Sequence, residues 1–507
     1  MSEPSIDVSA RYRDLLALPV GHRLLQYRGS WMTVGQVGRL AGGLDTVLGD
    51  AGLGAGARIG LVSRNRPPQV AAITAILSTG RTLVPITSIQ SDSMIVAELE
   101  RTMVSALVAD EEDWSRAGLA ERCGELGVLG VLVSGSIDEP VRVIDGLSAA
   151  TAERETDPGI AVLMPTSGTT GPPKRIAYSY AHLNGALERI AKYAPATSRT
   201  LSNPLRAQSG VTIATLALAH VGGFWAVFQA LAEGRAVSLL DRFEPAAWAD
   251  LVEEHGARTA GLPPTTLRMV LNADIPLRKI VTLRAVSCGT APLPPELDDA
   301  FTAKYGIPVL TAYGATEFPG GLVGWTLPDY KQFHEAKRGS AGRVRPGIKV
   351  RVVDPDTGAE LPPGREGLIS VNSPQATTST EDGWVRTTDY ARMDEDGFVW
   401  ILGRADDAIN RGGFTIVPQV VEAALQRHPA VTEAAVVGVP DERLGQVPVA
   451  AVQLSSPATP EELIEWCREN LVRYQVPVRI RVVDDLPRTT SLKVAKDGVR
   501  AVFGVVR

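Results

Sequence analysis

Short apolar runs alternate with longer amphipathic or alanine-rich stretches from about residue 30 to about residue 400. Arg58-Ile59-Gly60-Leu61-Val62 reads as a buried strand, 68–77 as a helix, and Thr82-Leu83-Val84-Pro85 as the next strand. Ala236-Val237-Ser238-Leu239-Leu240, Arg284-Ala285-Val286-Ser287 and Pro308-Val309-Leu310 repeat the pattern, each after a helix-like stretch. Such alternation predicts largely parallel sheets covered by helices on both faces. Between about 340 and 400 the texture shifts to Gly/Pro turns and short strands such as 349–353 and 367–371, which predicts a smaller β-rich subdomain.

The pattern changes again just after Gly403-Arg404. Pro418 suits the first position of a helix whose apolar side is Val421, Ala424 and Leu425, ended by His428-Pro429. Strands over 434–439 and 448–454 follow. Thr459 and Glu462 then form a capping box around Pro460, opening a helix that buries Leu463, Trp466, Cys467 and Leu471. The tail from Arg488 onward reads as polar and turn-rich. The expected fold class is α/β: a large N-terminal domain of stacked α/β sheets with a β-rich subdomain over 1–404, and a small mobile α+β lid over 405–507.

Length agrees with this division, since 507 residues exceed the roughly 250–300 at which single cores stop growing. A formal net charge of -6 and a pI near 5.7 leave no basic footprint, which argues against nucleic acid or an anionic membrane as partner. Cys123, Cys288 and Cys467 are widely spaced without a CxxC pair, pointing to a reducing compartment rather than disulfides or zinc. The N-terminus shows no basic region leading into an apolar one, so a cytoplasmic location is expected. The long apolar stretch 211–232 carries Thr212, Thr215, His220, Gln229 and a Gly222-Gly223 break, and is expected to be a buried strand and helix rather than a membrane span.

Chemistry concentrates first in Pro165-Thr166-Ser167-Gly168-Thr169-Thr170-Gly171-Pro172-Pro173-Lys174. The apolar run 160–164 in front reads as a strand feeding a loop. Gly168 and Gly171 let backbone N–H groups turn toward an anion, the hydroxyls donate further hydrogen bonds, and Lys174 adds a mobile charge. This is a polyphosphate grip, but not a Walker loop, which needs Lys directly after its second Gly; a Gly/Thr surface turn is the plainer alternative.

Tyr313-Gly314-Ala315-Thr316-Glu317 follows a strand end, where ligands gather in open α/β sheets. Tyr313 offers a face to a base, Gly314 allows close approach, and Glu317 is a hard oxygen ligand for Mg²⁺ on phosphates; an ordinary strand-end turn is the alternative. Asp389 is placed to accept ribose hydroxyls, or is a solvated turn carboxylate. Arg404 at the junction could reach ribose or phosphate, or serve a structural ion pair. Lys493, in the terminal loop 488–493, carries no meaning outside this context.

Together these segments resemble the adenylate-forming superfamily of acyl-CoA synthetases, peptide-synthetase adenylation domains and luciferases, over nearly the whole chain from Thr33 to Lys493. The resemblance implies that 166–174 is the phosphate loop, and that Gly289, Thr290 and Ala291, with Pro292, enclose adenine alongside Tyr313 and Gly314. It implies that Thr316 and Glu317 serve phosphate and Mg²⁺, that Asp389 and Arg404 bind ribose, that Asp406 is the hinge, and that Lys493 is the mobile catalytic lysine. His220, within Ala219-His220-Val221-Gly222-Gly223, is similar to the family's gate at the acyl pocket, and Gly222 and Phe224 would line that pocket; the aromatics Phe224, Trp225 and Phe228 could equally be helix core. Gly412 and Gly413 would line the path of an incoming thiol.

Departures from the family pattern are Arg175 where Gly usually follows the loop lysine, Thr388 in the usual TGD, Leu492 in the usual SGK, Asn410 for a common Lys, and Ala219 for a bulky gate residue. The implied activity is activation of a small-molecule carboxylic acid by ATP and Mg²⁺ through an acyl-adenylate, then transfer to coenzyme A. The alternative is transfer to an amine or to a stand-alone carrier protein.

Overall fold

The strand Arg58–Ser63 is buried along almost its whole length, as a central parallel strand must be. It pairs in parallel with Thr82–Thr87 on one side and Ala106–Ala109 on the other. In this computed structural model they are the middle of a seven-stranded sheet, in spatial order Val141–Val143, Leu129–Val133, Ala106–Ala109, Arg58–Ser63, Thr82–Thr87, Ile160–Pro165, Arg175–Ser179. The inner strands are parallel and both edges antiparallel. The structure describes all residues except 1–5, 137, 149–155, 167–173, 194–200, 203, 319, 378–381, 412–413, 490–492 and 506–507.

A four-stranded sheet (Val211–Ala214, Ala236–Leu239, Arg23–Tyr27, Ser30–Thr33) shares one continuous apolar core with the first. The helix Pro67–Ser78 is buried on every face within it, which explains an alanine- and isoleucine-rich sequence with no polar stripe. A third sheet runs Thr259–Gly261, Ala285–Cys288 and Val309–Tyr313 in parallel, then Val323–Gly324 and Arg343–Val344 antiparallel. The texture change near residue 340 is an all-antiparallel sheet of Lys349–Val353, Glu366–Asn372, Val385–Met393 and Val399–Arg404.

Beyond Arg404 one 3-10 turn, Ala405–Asp407, leads into the small C-terminal domain. Its sheet orders Phe414–Ile416, Ile409–Arg411, Gly445–Leu454 and Val431–Asp441, with Arg479–Val482 beside Gly445–Leu454. One face packs on the helices Pro418–Gln426 and Pro460–Asn470. The tail is not only turns, as its polarity implied: Lys496–Val502 is a helix that buries Val499 against the other face.

Two further sequence expectations resolve here. The stretch 211–232 is the strand Val211–Ala214 followed by the helix Val221–Ala232, and among the described residues no helix is long and apolar enough to cross a membrane. All three cysteines are free and buried.

The capping box is present in full: the Thr459 N–H donates to Glu462 Oε2 at 2.8 Å, and the Glu462 N–H to Thr459 Oγ1 at 3.2 Å. Thr459→Ala removes one half of it, which is worth about 1 kcal/mol. Native-state hydrogen exchange over the helix Pro460–Asn470 is expected to quicken roughly fivefold, with exchange in the large domain unchanged.

Candidate active site

The phosphate-grip sequence joins the strand Ile160–Pro165 to the edge strand Arg175–Ser179, whose ladder pairs Pro165 with Arg175. Thr166 closes the neck of the loop, with its N–H at 2.8 Å and its hydroxyl at 3.1 Å from the Lys174 carbonyl. Ser167, Gly168, Thr169, Thr170 and Gly171 lie outside the described residues, as do Gly412 and Gly413 of the expected thiol path.

Arg175, a departure without an assigned role, clamps the base of the loop. Its guanidinium donates to the carbonyls of Leu163 at 2.7 Å and Pro85 at 3.0 Å, and to Glu98 Oε1 at 2.5 and 3.0 Å. Glu98 is 3% exposed, so both charges sit in the interior. Burial draws the arginine pKa down and the Glu98 carboxylate opposes it.

The third sheet and the antiparallel sheet supply the next wall. Asp389 is in the middle of the strand Val385–Met393 rather than in a turn, and its register partner on the neighbouring strand is Arg404. The Tyr313 hydroxyl donates to Asp389 Oδ2 at 2.6 Å. Arg404 Nε lies 4.0 Å from Asp389 Oδ1, and its Nη2 donates to the Thr388 hydroxyl at 2.9 Å and to Asp406 Oδ2 at 2.8 Å. Burial raises the Asp389 carboxyl, while Tyr313 and Arg404 hold it down. Thr290 sits at φ 70°, a left-handed conformation rare for a β-branched residue and a mark of local strain at this loop.

His220 is the N-cap of the helix Val221–Ala232, its Nδ1 accepting from the Gly222 N–H at 3.1 Å. The close turn dictates both glycines: a Cβ on Gly223 would stand 2.2 Å from the Ala217 carbonyl oxygen, and one on Gly222 3.0 Å from Leu216 and 3.3 Å from the Thr290 methyl. Burial, and secondarily Lys493, push the His220 pKa down to about 4. The ring is therefore neutral at physiological pH.

Lys493 is delivered by a turn that its own backbone closes, with the Thr489 N–H donating to the Lys493 carbonyl at 2.7 Å. Arg488, paired with Glu433 at 2.5 Å, ties that turn to the C-terminal sheet. Burial lowers the Lys493 pKa, Arg404 lowers it further, and Asp389 opposes both. Lys493, His220, Arg404 and Asp389 thus feel one another across the domain boundary. All four line a single cleft of about 2380 Å³, together with Thr166, Lys174, Gly222, Gly289, Thr290, Ala291, Tyr313, Gly314, Thr316, Glu317 and Asp406.

Phe224 is a correction. It is 1% exposed and stacks on Phe228 at 5.5 Å inside the main core, so it does not line the acyl pocket. The reason is helical phase: Phe224, Phe228 and Leu231 share the core stripe, whereas Gly222, Trp225, Ala226 and Gln229 face the cleft. A count of the 3.6-residue period would have chosen Trp225. Arg345, also on the cleft wall, gave no signal because it lies in no motif.

A cleft with a Gly/Thr-rich Lys-bearing segment at its mouth, a half-buried carboxylate hydrogen-bonded to a tyrosine, and a lysine arriving from a second domain is the architecture of a nucleotide-using activating enzyme. The chain belongs to the AMP-binding enzyme family: residues 10–379 match AMP-binding enzyme and residues 420–493 match AMP-binding enzyme C-terminal domain. It is 34% identical over 348 residues to 2-succinylbenzoate–CoA ligase of Bacillus licheniformis, covering 66% of this chain and 69% of that one. It is 30% identical over 401 residues to 4-coumarate–CoA ligase 3 of Oryza sativa subsp. japonica, covering 75% and 71%. The solved structure of amide bond synthetase McbA from Marinactinospora thermotolerans matches with a TM-score of 0.80 at 26% identity, over 98% of this chain and 100% of that one.

Arg175→Ala leaves Glu98 buried with Arg101 as its one remaining ion-pair partner among the described residues. Breaking a buried pair from one end costs about 3–5 kcal/mol. Chemical denaturation is expected to show a loss of that order, and adding Glu98→Gln should restore part of it. Full stability in Arg175→Ala would remove the clamp from the account.

Proposed function

We propose that the protein activates a carboxylic acid with ATP as an acyl-adenylate and then transfers the acyl group to coenzyme A. The observation that carries this reading is the meeting of Lys493, from the small domain, with Thr166, Lys174, Glu317, Asp389 and Arg404, from the large one, around one cleft. Attack of a carboxylate on the α-phosphate brings two anions together, so positive charge is needed where the new bond forms. Lys493 between carboxylate and α-phosphate supplies it, and Lys174 lies toward the leaving pyrophosphate. The lowered pKa of Lys493 reflects a site poor in water, where its charge acts more strongly. Tyr313 and Asp389, already hydrogen-bonded to each other, would flank the adenosine, with Asp389 and Arg404 on the ribose.

Mg²⁺ would be held by Glu317, with Thr316 beside it. Among the described residues no cluster of three or more acidic, His or Cys side chains could hold a metal unaided, which suits an ion that arrives on the phosphates and takes one protein carboxylate. When bound it neutralises charge on the departing pyrophosphate. Neutral His220 is no proton donor here; capping its helix at the cleft wall, it shapes the acyl side.

In the second half-reaction the thiol attacks the acyl carbon, and the bond to AMP breaks. Lys493 stands where that thiol must approach, so the body formed by 1–404 and the lid formed by 405–507 would turn about Asp406 between halves. The three buried thiols suit a reducing, cytoplasmic setting.

Lys493→Ala is expected to abolish pyrophosphate exchange, by a factor on the order of 10² or more, yet still convert a supplied acyl-adenylate and CoA to thioester. Asp406→Pro, which fixes a backbone torsion at the junction, should do the reverse. Loss of both activities in both folded variants would sink the two-orientation mechanism, and amides formed from amines where CoA gives no thioester would replace the acceptor.

His220→Ala should change the profile of acids accepted while leaving the ATP KM within about twofold. Because its pKa is depressed, folding favours the neutral ring: its contribution to stability is present above the unfolded value near 6.5 and declines as pH falls toward 4. Acid unfolding of His220→Ala should accordingly be less steep over that window than that of the parent.

A further inference from the structure

Arg345 is a cation on the cleft wall with no carboxylate partner among the described residues. It follows the short strand Arg343–Val344, and its Nη1 donates to the Gly320 carbonyl at 3.1 Å. Desolvation alone acts on its pKa, downward, with no acidic neighbour to oppose it. Three arginines elsewhere in the large domain have a carboxylate partner: Arg58 pairs with Asp157, Arg64 with Asp113 and Arg175 with Glu98. A guanidinium offers five N–H donors in a planar fork that matches a carboxylate. Among the described residues one hydrogen bond engages this fork, and a carbonyl does not balance its charge.

The surroundings are cleared for the guanidinium. A Cβ on Gly324 would lie 3.1 Å from Arg345 Nη2, and one on Gly321 would lie 3.7 Å from its Cζ. A Cβ on Gly320 would meet Trp225 at 3.3 Å and Arg189 at 2.8 Å. Arg345 and Trp225 therefore converge on a stretch of bare backbone, and both face the same cleft as His220 and Gly222 at its acyl side.

We propose that the acid activated by this protein carries a second carboxylate at its distal end, which docks on Arg345 while the reacting carboxylate lies under Lys493. The inference rests on the carboxylate-activating reading above. A desolvated cation without a counter-ion is unfavourable, and a substrate anion that supplies one gains a charge-assisted, bidentate contact. A monocarboxylic acid of the same skeleton would leave the fork facing hydrocarbon, the kind of mismatch a polar site discriminates against most strongly.

The test measures pyrophosphate release with pairs of acids that share a skeleton, aliphatic and aryl, and differ only in a distal carboxylate. The wild type is expected to favour the diacid in at least one pair by about tenfold or more in kcat/KM. Arg345→Met should lower that diacid-to-monoacid ratio by about 10²-fold, and Arg345→Lys should recover part of it. A wild type that prefers the monoacid in every pair overturns the inference, as does a ratio unchanged in folded Arg345→Met or in Arg345→Gln should Met not fold. A folded wild type that releases no pyrophosphate with any acid overturns instead the activation reading, and this inference falls with it.

Discussion

An ammonium group has to leave water and enter a cleft whose other walls belong to a different domain; the arrangement of this protein depends on that step. Lys493 makes it on a short, self-closed turn fixed to the C-terminal sheet through Arg488 and Glu433. Burial and Arg404 both work against its charge, and Asp389 partly compensates. The lysine is thus held at the cleft with opposing charges acting on it, and a charge so placed can act on a reacting phosphate. Neutral His220 nearby avoids adding a second cation at the same point.

The large domain is built to hold the opposite side still. The proposed phosphate-loop segment joins Ile160–Pro165 to the edge strand Arg175–Ser179, and Arg175 ties the start of that edge strand to Glu98, to the adjacent strand through Leu163 and to the next strand in through Pro85. Asp389 and Arg404, register partners on adjacent antiparallel strands, put a carboxylate and a guanidinium side by side, with Tyr313 bridging from another sheet. Three sheets thereby converge on one cleft, and the only covalent link to the lid is the chain through Ala405–Asp407. In the proposed second half-reaction, rotation at that link would remove Lys493 from the cleft.

Much of this was legible in the sequence because the relevant signals are local. Alternating apolar runs marked the parallel strands, the Thr459–Glu462 box marked a helix start, and the candidate site residues among the described ones, other than Phe224, line the cleft. What could not be read depended on phase or on distance along the chain. Phe224 and Trp225 are adjacent and both aromatic, and only the helical period assigns one to the core and the other to the cleft. Arg175 looked like a bare departure because its partner Glu98 is remote in sequence, and Arg345 is informative through having no carboxylate partner among the described residues, which no linear reading can register. The terminal helix Lys496–Val502 was hidden because it buries few side chains, chiefly Val499 and Phe503, within a polar tail.

The central claim is that a carboxylate oxygen of the substrate attacks the α-phosphate of ATP. Turnover of an accepted acid labelled with ¹⁸O in its carboxylate, followed by mass spectrometry of the products, tests it most directly. The account predicts one labelled oxygen in AMP and none in pyrophosphate, because the bond that forms is carboxylate oxygen to α-phosphorus and the bond that later breaks is acyl carbon to that oxygen. Label in inorganic phosphate, or AMP free of label while product forms, would contradict it.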